Sequence, residues 1–176
     1  MTRFFVVFVA VTAVLFALEL TPVGQQYFVD PWTNTLAAIC ARVAGAFDAD
    51  VVSAGRALMS RSNGFAVSIE AGCNGIEATL VLLAAMIAYP APWSKRLAGL
   101  AAGIVAVQAL NVVRVISLFY IGQWNLHVFE WAHLYVWQAL IMLDVLVVWL
   151  VWVRMLGPAD GGPPPPAPGP ATASAA

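Results

Sequence analysis

Residues 97–121 read LAGLAAGIVAVQALNVVRVISLFYI, and the way this run is understood decides the fold. It exceeds the roughly 20 apolar residues that cross a bilayer as a helix, yet it carries Gln108, Asn111 and Arg114. An arginine at the centre of a membrane helix costs about 2.5–3.5 kcal/mol on insertion scales, so it needs a partner or a purpose. Three further apolar runs flank this one: residues 4–20, residues 76–89 (stopped by Pro90-Ala91-Pro92) and residues 134–153, which hold Gln138 and Asp144. The whole chain is 62% hydrophobic and 10% charged, with mean hydropathy +0.86. Soluble domains carry about 25% charged residues. The expected fold is therefore all-α: a polytopic transmembrane helical bundle of about four spans, with a short extracytoplasmic excursion. With a net charge of -1 and no basic patch, nucleic acid is not an expected partner. No metal-ligand spacing or cofactor motif occurs, so neither is expected.

The first run follows Arg3, and Glu19 falls at its outer boundary. Glu-Leu-Thr-Pro comes next instead of a small-x-small cleavage site, so it reads as a retained transmembrane helix rather than a signal peptide. Residues 21–72 are the most polar part of the folded region. Asp30-Pro31 signals a helix start, and the apolar positions between 37 and 47 suggest an amphipathic or half-immersed helix carrying Cys40 and Arg42. Whether residues 34–47 span the membrane or lie on it stays open. Residues 51–57 and 65–69 flank Ser60-Arg61-Ser62-Asn63-Gly64, which reads as a small β-hairpin or extended excursion. Residues 122–133 read as a loop, and Trp124, Trp131, Tyr135 and Trp137 form an interfacial aromatic belt around it. Residues 157–176 are Pro-, Gly- and Ala-rich and read as a disordered tail. Cys40 and Cys73 are either two free thiols or a pair; nothing in their placement decides.

Basic residues set the orientation. Arg3, Lys95-Arg96 and Arg154 all fall on one side of a four-span topology, which is then cytoplasmic; Arg42, Arg56 and Arg61 are the exceptions, in a loop long enough for the bias to weaken. The second run descends from Cys73, the third ascends past Arg114, and the fourth begins just after His133. All three residues therefore share the outer leaflet. A thiolate is favoured by a nearby guanidinium and by a helix N-terminus. Arg114 stays protonated, so its roles are to stabilise the Cys73 thiolate and a developing oxyanion. His133 titrates near neutrality and is the acid/base candidate. Asn74 and Gly75 are small, letting the backbone approach a substrate and expose amide donors, and Asn111 is placed to orient Arg114 by hydrogen bonding. Each residue also has a plainer reading. A lone membrane cysteine usually packs, an interfacial histidine is often a wet cap, and Arg114 has Glu77 or Asp144 as structural partners. His127 is a weaker competitor for His133, and Cys40 reads as packing.

The run Ile69-Glu70-Ala71-Gly72-Cys73-Asn74-Gly75-Ile76-Glu77 resembles the cysteine motif of the exosortase/archaeosortase family. Asn111-Val112-Val113-Arg114-Val115 resembles its Asn-x-x-Arg motif, and His133-Leu134-Tyr135-Val136-Trp137 is similar to its histidine motif, in which a Tyr-Gly-Trp follows the histidine, with Val136 where many members have glycine. Order and spacing agree over residues 65–153, so residues 1–156 read as one exosortase-like membrane domain with that catalytic core. The Cys-Asn-Gly-Ile-Glu-Ala wording is most like exosortase H, whose signals carry an Ile-Pro-Thr-Leu type motif. The resemblance implies a cysteine protease or transpeptidase of the cytoplasmic (inner) membrane, working on its extracytoplasmic side with Cys73, Arg114 and His133. Its implied partners are membrane lipids and exported proteins bearing a C-terminal sorting signal: a motif, a transmembrane helix and a basic cluster. The enzyme would cleave there and transfer the new acyl end to an acceptor. Two alternatives stay open from the residues alone: a non-catalytic membrane scaffold or assembly subunit, and a transporter, though no internal repeat supports the latter.

Overall fold

The computed structural model describes residues 2–156, so the tail reading for residues 157–176 lies outside the described residues. In chain order the elements are α1 (Thr2–Glu19), α2 (Pro22–Gly24), a π-helical stretch (Gln25–Val29) and α3 (Asp30–Gly45). A sheet follows, β1 (Val51–Ala54), β2 (Ala57–Ser60) and β3 (Ala66–Ser68). The remainder is α4 (Ile76–Ala88), α5 (Trp93–Trp124), α6 (Leu126–Trp131), a second π-helical stretch (Ala132–Val136) and α7 (Trp137–Met155). This is the helical membrane bundle that the apolar runs require.

Among the described residues three helical runs are long and apolar enough to cross a bilayer: Thr2–Glu19, Trp93–Trp124 and Leu126–Met155. The fourth expected span, α4, has 13 residues, about 20 Å at 1.5 Å per residue, and is short of the roughly 30 Å hydrocarbon layer. It is the central helix, packed against α1, α5 and α7. Leu82, Ala84 and Met86 are fully buried on it, as expected for a helix apolar on every face. The up-and-down order still holds. At one end Phe4 meets Tyr89 and Trp149, Trp152 Nε1 donates to Lys95 O (3.0 Å), and Lys95 Nζ donates to Leu156 O (3.3 Å). Cys73, Arg114 and His133 lie at the other. Close approach of α5 and α7 depends on Gly99, where an added Cβ would stand 2.1 Å from the Trp152 indole nitrogen.

The excursion differs from the expected hairpin in one respect. Residues 51–57 do not form a single flank: the chain reverses at Gly55-Arg56, Ala54 pairs with Ala57, and Ala57–Ser60 becomes the central strand. Leu58 explains this choice, because only as part of a middle strand does its fully buried side chain reach the core. The Ser60–Gly64 turn then joins β2 to β3, held by the Asp50 carboxylate, which accepts from the Ser60 hydroxyl and from Ser62 N (2.8 Å) and Oγ (2.9 Å). α3 is outside the set of spanning helices. Its face of Leu36, Ala37, Cys40 and Ala44 packs with Val51 and Leu58 of the sheet, with Ile69, and with Val115 and Phe119 of α5. α3 and the sheet thus cap the C-terminal part of α5.

Residues 126–131, expected as loop, are helical. The Asn125 side chain accepts from His127 N (2.9 Å) and Val128 N (3.2 Å), an N-cap that starts a helix running on into α7.

Candidate active site

Three separate elements deliver Cys73, Arg114 and His133 to one cleft. Cys73 sits on the turn between β3 and α4, where its N–H donates to Glu70 O (2.9 Å) and Gly72 N donates to Glu77 Oε1 (2.5 Å). The next residue locks this turn to α3. Asn74 is fully buried; its Nδ2 donates to Thr33 Oγ1 (3.1 Å), its Oδ1 accepts from Ile76 N (3.0 Å), and its carbonyl accepts the Trp32 indole N–H (3.1 Å). Gly75 turns the chain into α4 at φ +74°, a left-handed conformation that disfavours side chains. A Cβ there would also meet Gln108 at 2.9 Å and Asn111 at 3.1 Å. Gln108 Nε2 closes the corner from below, donating to Gly75 O (3.1 Å) and Thr79 Oγ1 (3.2 Å).

Arg114 projects from α5 with 2% of its surface exposed. Its guanidinium donates to Gly72 O (3.5 Å) and to Cys73 Sγ (3.5 Å). Among the described residues the one ion pair is Arg56–Glu70, exposed and 3.4 Å long, so neither Glu77 nor Asp144 pairs with Arg114. Glu77 instead accepts from the Cys73 turn. A buried arginine facing a thiol and a carbonyl rather than a carboxylate is poorly explained as structural glue.

His133 comes from the second π-helical stretch, with Nε2 3.7 Å from Cys73 Sγ. Its ring is stacked on Phe129, centroids 5.7 Å apart and planes 3° from parallel. Its Nδ1 is buried without a hydrogen-bond partner. The three side chains border a cleft of about 110 Å³, lined also by residues 67–70, by Val115 and Leu118 of α5, and by Phe129. That volume suits one side chain or a few waters at roughly 30 Å³ each.

Burial pushes the Cys73 thiol above its ordinary range; Arg114 pulls it back down, while Glu77 and Glu70 raise it further. Desolvation outweighs the lowering influence of the cation.

The supporting residues fall differently from expectation. Asn74 and Gly75 do not offer amide donors to the cleft, because both are buried in the clamp between α3, α4 and α5. Asn111 does not bond Arg114: both its side-chain polar atoms lack partners, although the residue is fully buried. It faces Gly75 instead, one helical turn below the arginine. His127 is exposed on α6 and does not line the cleft. Cys40 is fully buried in the α3 core and is a free thiol, pushed up to about 12 by burial. Sequence reasoning missed Trp32, Thr33 and Phe129. The first two occupy the helix start announced by Asp30-Pro31, but no local pattern reveals a partner 41 or 42 residues away. Phe129 sits four residues before His133, a spacing that would have signalled stacking had the segment been read as helical.

A protein-family model described as Transmembrane exosortase (Exosortase_EpsH) matches residues 4–151. No curated protein and no solved structure matches the chain. The match covers α1 through most of α7, and the chain belongs to the transmembrane exosortase family.

Proposed function

We propose that this protein is a cysteine peptidase of the transpeptidase type that processes C-terminal sorting signals of exported proteins. The observation carrying this reading is that Arg114 and His133 both come within 3.7 Å of Cys73 Sγ at one end of the bundle. His133 Nε2 takes the thiol proton as Cys73 Sγ bonds to the scissile carbonyl carbon. The carbonyl oxygen becomes an oxyanion, and the Arg114 guanidinium, already beside the sulfur, stabilises it. Collapse of this intermediate breaks the C–N bond, and His133 returns its proton to the leaving amine. The acyl end is held as a thioester on Cys73. An acceptor nucleophile then attacks the thioester, losing its proton to His133, and the thiolate leaves and is reprotonated. Transfer and hydrolysis differ only in whether that nucleophile is an acceptor group or water.

The basic residues Arg3, Lys95, Arg96 and Arg154 cluster at the end opposite the site, which supports a cytoplasmic-membrane location with the chemistry outside. The wording around Cys73 favours an Ile-Pro-Thr-Leu type signal. A reporter with that motif, a transmembrane helix and a basic cluster tests the reading when coexpressed with the protein. A mass change lost in Cys73→Ala, with membrane insertion intact, is the expected result, and the product mass separates transfer from hydrolysis. Processing retained in Cys73→Ala would sink the proposal and leave a scaffold role.

A further inference from the structure

The free edge of β3 runs straight into the Cys73 cleft. In the β2–β3 pair, Ser60 N donates to Phe65 O (2.9 Å) and Ile69 N donates to Arg56 O (3.0 Å). These bonds fix the antiparallel alternation: residues 65, 67 and 69 turn their backbone groups toward β2, and Ala66 and Ser68 turn theirs away. Side chains agree, since Val67 and Ile69 pack on the core while Ala66 and Ser68 are exposed. The sheet order is β1-β2-β3, so among the described residues no strand covers this edge. Residues 67–70 line the cleft together with Cys73, Arg114, Phe129 and His133.

β3 also has a direction. Asn63 Nδ2 donates to Gln123 Oε1 (2.9 Å), the Phe65 ring lies 5.9 Å from that of Phe119, and Gly72 O accepts from Arg114. As the chain advances from 63 to 72, its partner on α5 retreats from 123 to 114. β3 therefore descends along α5 toward the site.

We infer that the substrate segment ahead of the scissile bond binds as a fourth strand on this edge, parallel to β3. The inference rests on the proposed function in one respect. A chain whose exported part lies outside, and whose transmembrane helix follows the cleavage point, runs in the same direction as β3. Parallel pairing needs a long crossover within one chain but no connection between two molecules. Backbone groups of Ala66 and Ser68 hold the segment regardless of sequence, and the cleft of about 110 Å³ receives one side chain near the cleavage point. A strand of three residues limits the pairing to a short stretch, as a short recognition motif requires.

Two experiments test this. Ser68→Pro removes an N–H that points away from β2, a substitution that edge strands tolerate. It should raise the KM for the Ile-Pro-Thr-Leu reporter roughly three- to tenfold, the value of one backbone hydrogen bond, with kcat unmoved and with Ser68→Ala, which keeps the N–H, restoring binding. Unchanged KM overturns the inference. The second experiment needs no turnover. In a Cys73→Ala background, Ala66→Cys or Ser68→Cys is combined with single cysteines walked along the reporter motif, and disulfide cross-links are mapped. Cross-links at alternate reporter positions are expected, with the Ala66→Cys set displaced two residues toward the reporter's N-terminus. Cross-links without alternation, a displacement in the opposite sense, or none at all would overturn it. Cys73-dependent processing with no alternating cross-links would leave the transpeptidase reading standing and remove the strand-addition mode alone.

Discussion

The two halves of α5 obey different rules. Near Lys95 the helix is built for packing: Gly99 admits the Trp152 indole, which donates to Lys95 O, and Tyr89, Trp149 and Trp152 interlock beside it. Nearer its C-terminus the same helix turns Gln108, Asn111 and Arg114 inward, and the Gln108 Oε1, both polar atoms of Asn111 and the Arg114 Nε lack partners. Buried polar groups left unpaired cost about 1–3 kcal/mol each. The Lys95 end has unpaired buried atoms too, Arg96 Nε and Trp149 Nε1, but the concentration of them on one stretch of α5, at Gln108, Asn111 and Arg114, is confined to the half beside Cys73. Such unspent capacity is characteristic of sites where stability has been traded for function.

The sharpest way to break this contrast is Arg114→Met. Processing should fall by at least ~100-fold, the usual scale for losing an oxyanion donor. Thermal stability in detergent should hold or rise, because a buried cation that no carboxylate pairs is replaced by an apolar side chain. Loss of folding would instead make Arg114 structural. Gly99→Val should do the reverse. Forced apart from Trp152, α5 and α7 lose packing worth ~1–3 kcal/mol or more, seen as a lowered melting temperature, while the Cys73 thiol remains open to alkylation in whatever fraction stays folded.

Asn111→Leu is predicted to leave stability unchanged or slightly improved and to reduce turnover, measured on the same reporter. A third contrast concerns pH. With the Cys73 thiol raised by burial and partly lowered by Arg114, iodoacetamide labelling should climb through the alkaline range rather than level off at neutrality. Removing the guanidinium takes away a lowering influence, so in Arg114→Met the labelling curve moves to still higher pH, followed by intact mass. Cys40, pushed up to about 12 and fully buried, should stay unlabelled across the same range. The smallest effect belongs to Arg56→Ala. Its exposed pair with Glu70 contributes no more than about 1 kcal/mol, and the melting temperature should barely move.

What could be read in the sequence follows physical range. Spans were legible because hydrophobic length is a local property, and so was the shared placement of Cys73, Arg114 and His133, which needed only helix direction and the positions of Arg3, Lys95, Arg96 and Arg154. α4 was legible as a helix, but its 13 residues count as central packing rather than as a full span. β2 was missed because Ala57–Ser60 carries little β-branched character and is a strand only through neighbours on both sides and the burial of Leu58. α6 was missed because the Asn125 cap was passed over among aromatic residues that resembled an interfacial loop. The clamp on Asn74 was out of reach, since Trp32 and Thr33 find it across 40 residues of intervening chain.

The π-helical stretch at Ala132–Val136 has a further consequence. Such a bulge is what an α-helix looks like after gaining a single residue. Removing one residue from it would let Leu126–Met155 run as uninterrupted α-helix with α7 still seated on α4 and α5. Everything before the deletion would then swing by about 100° around the axis, carrying the imidazole of His133 out of the cleft. A change of one codon length, with no alteration of the three side chains themselves, would undo the meeting of His133 with Cys73 while leaving a bundle of the same shape.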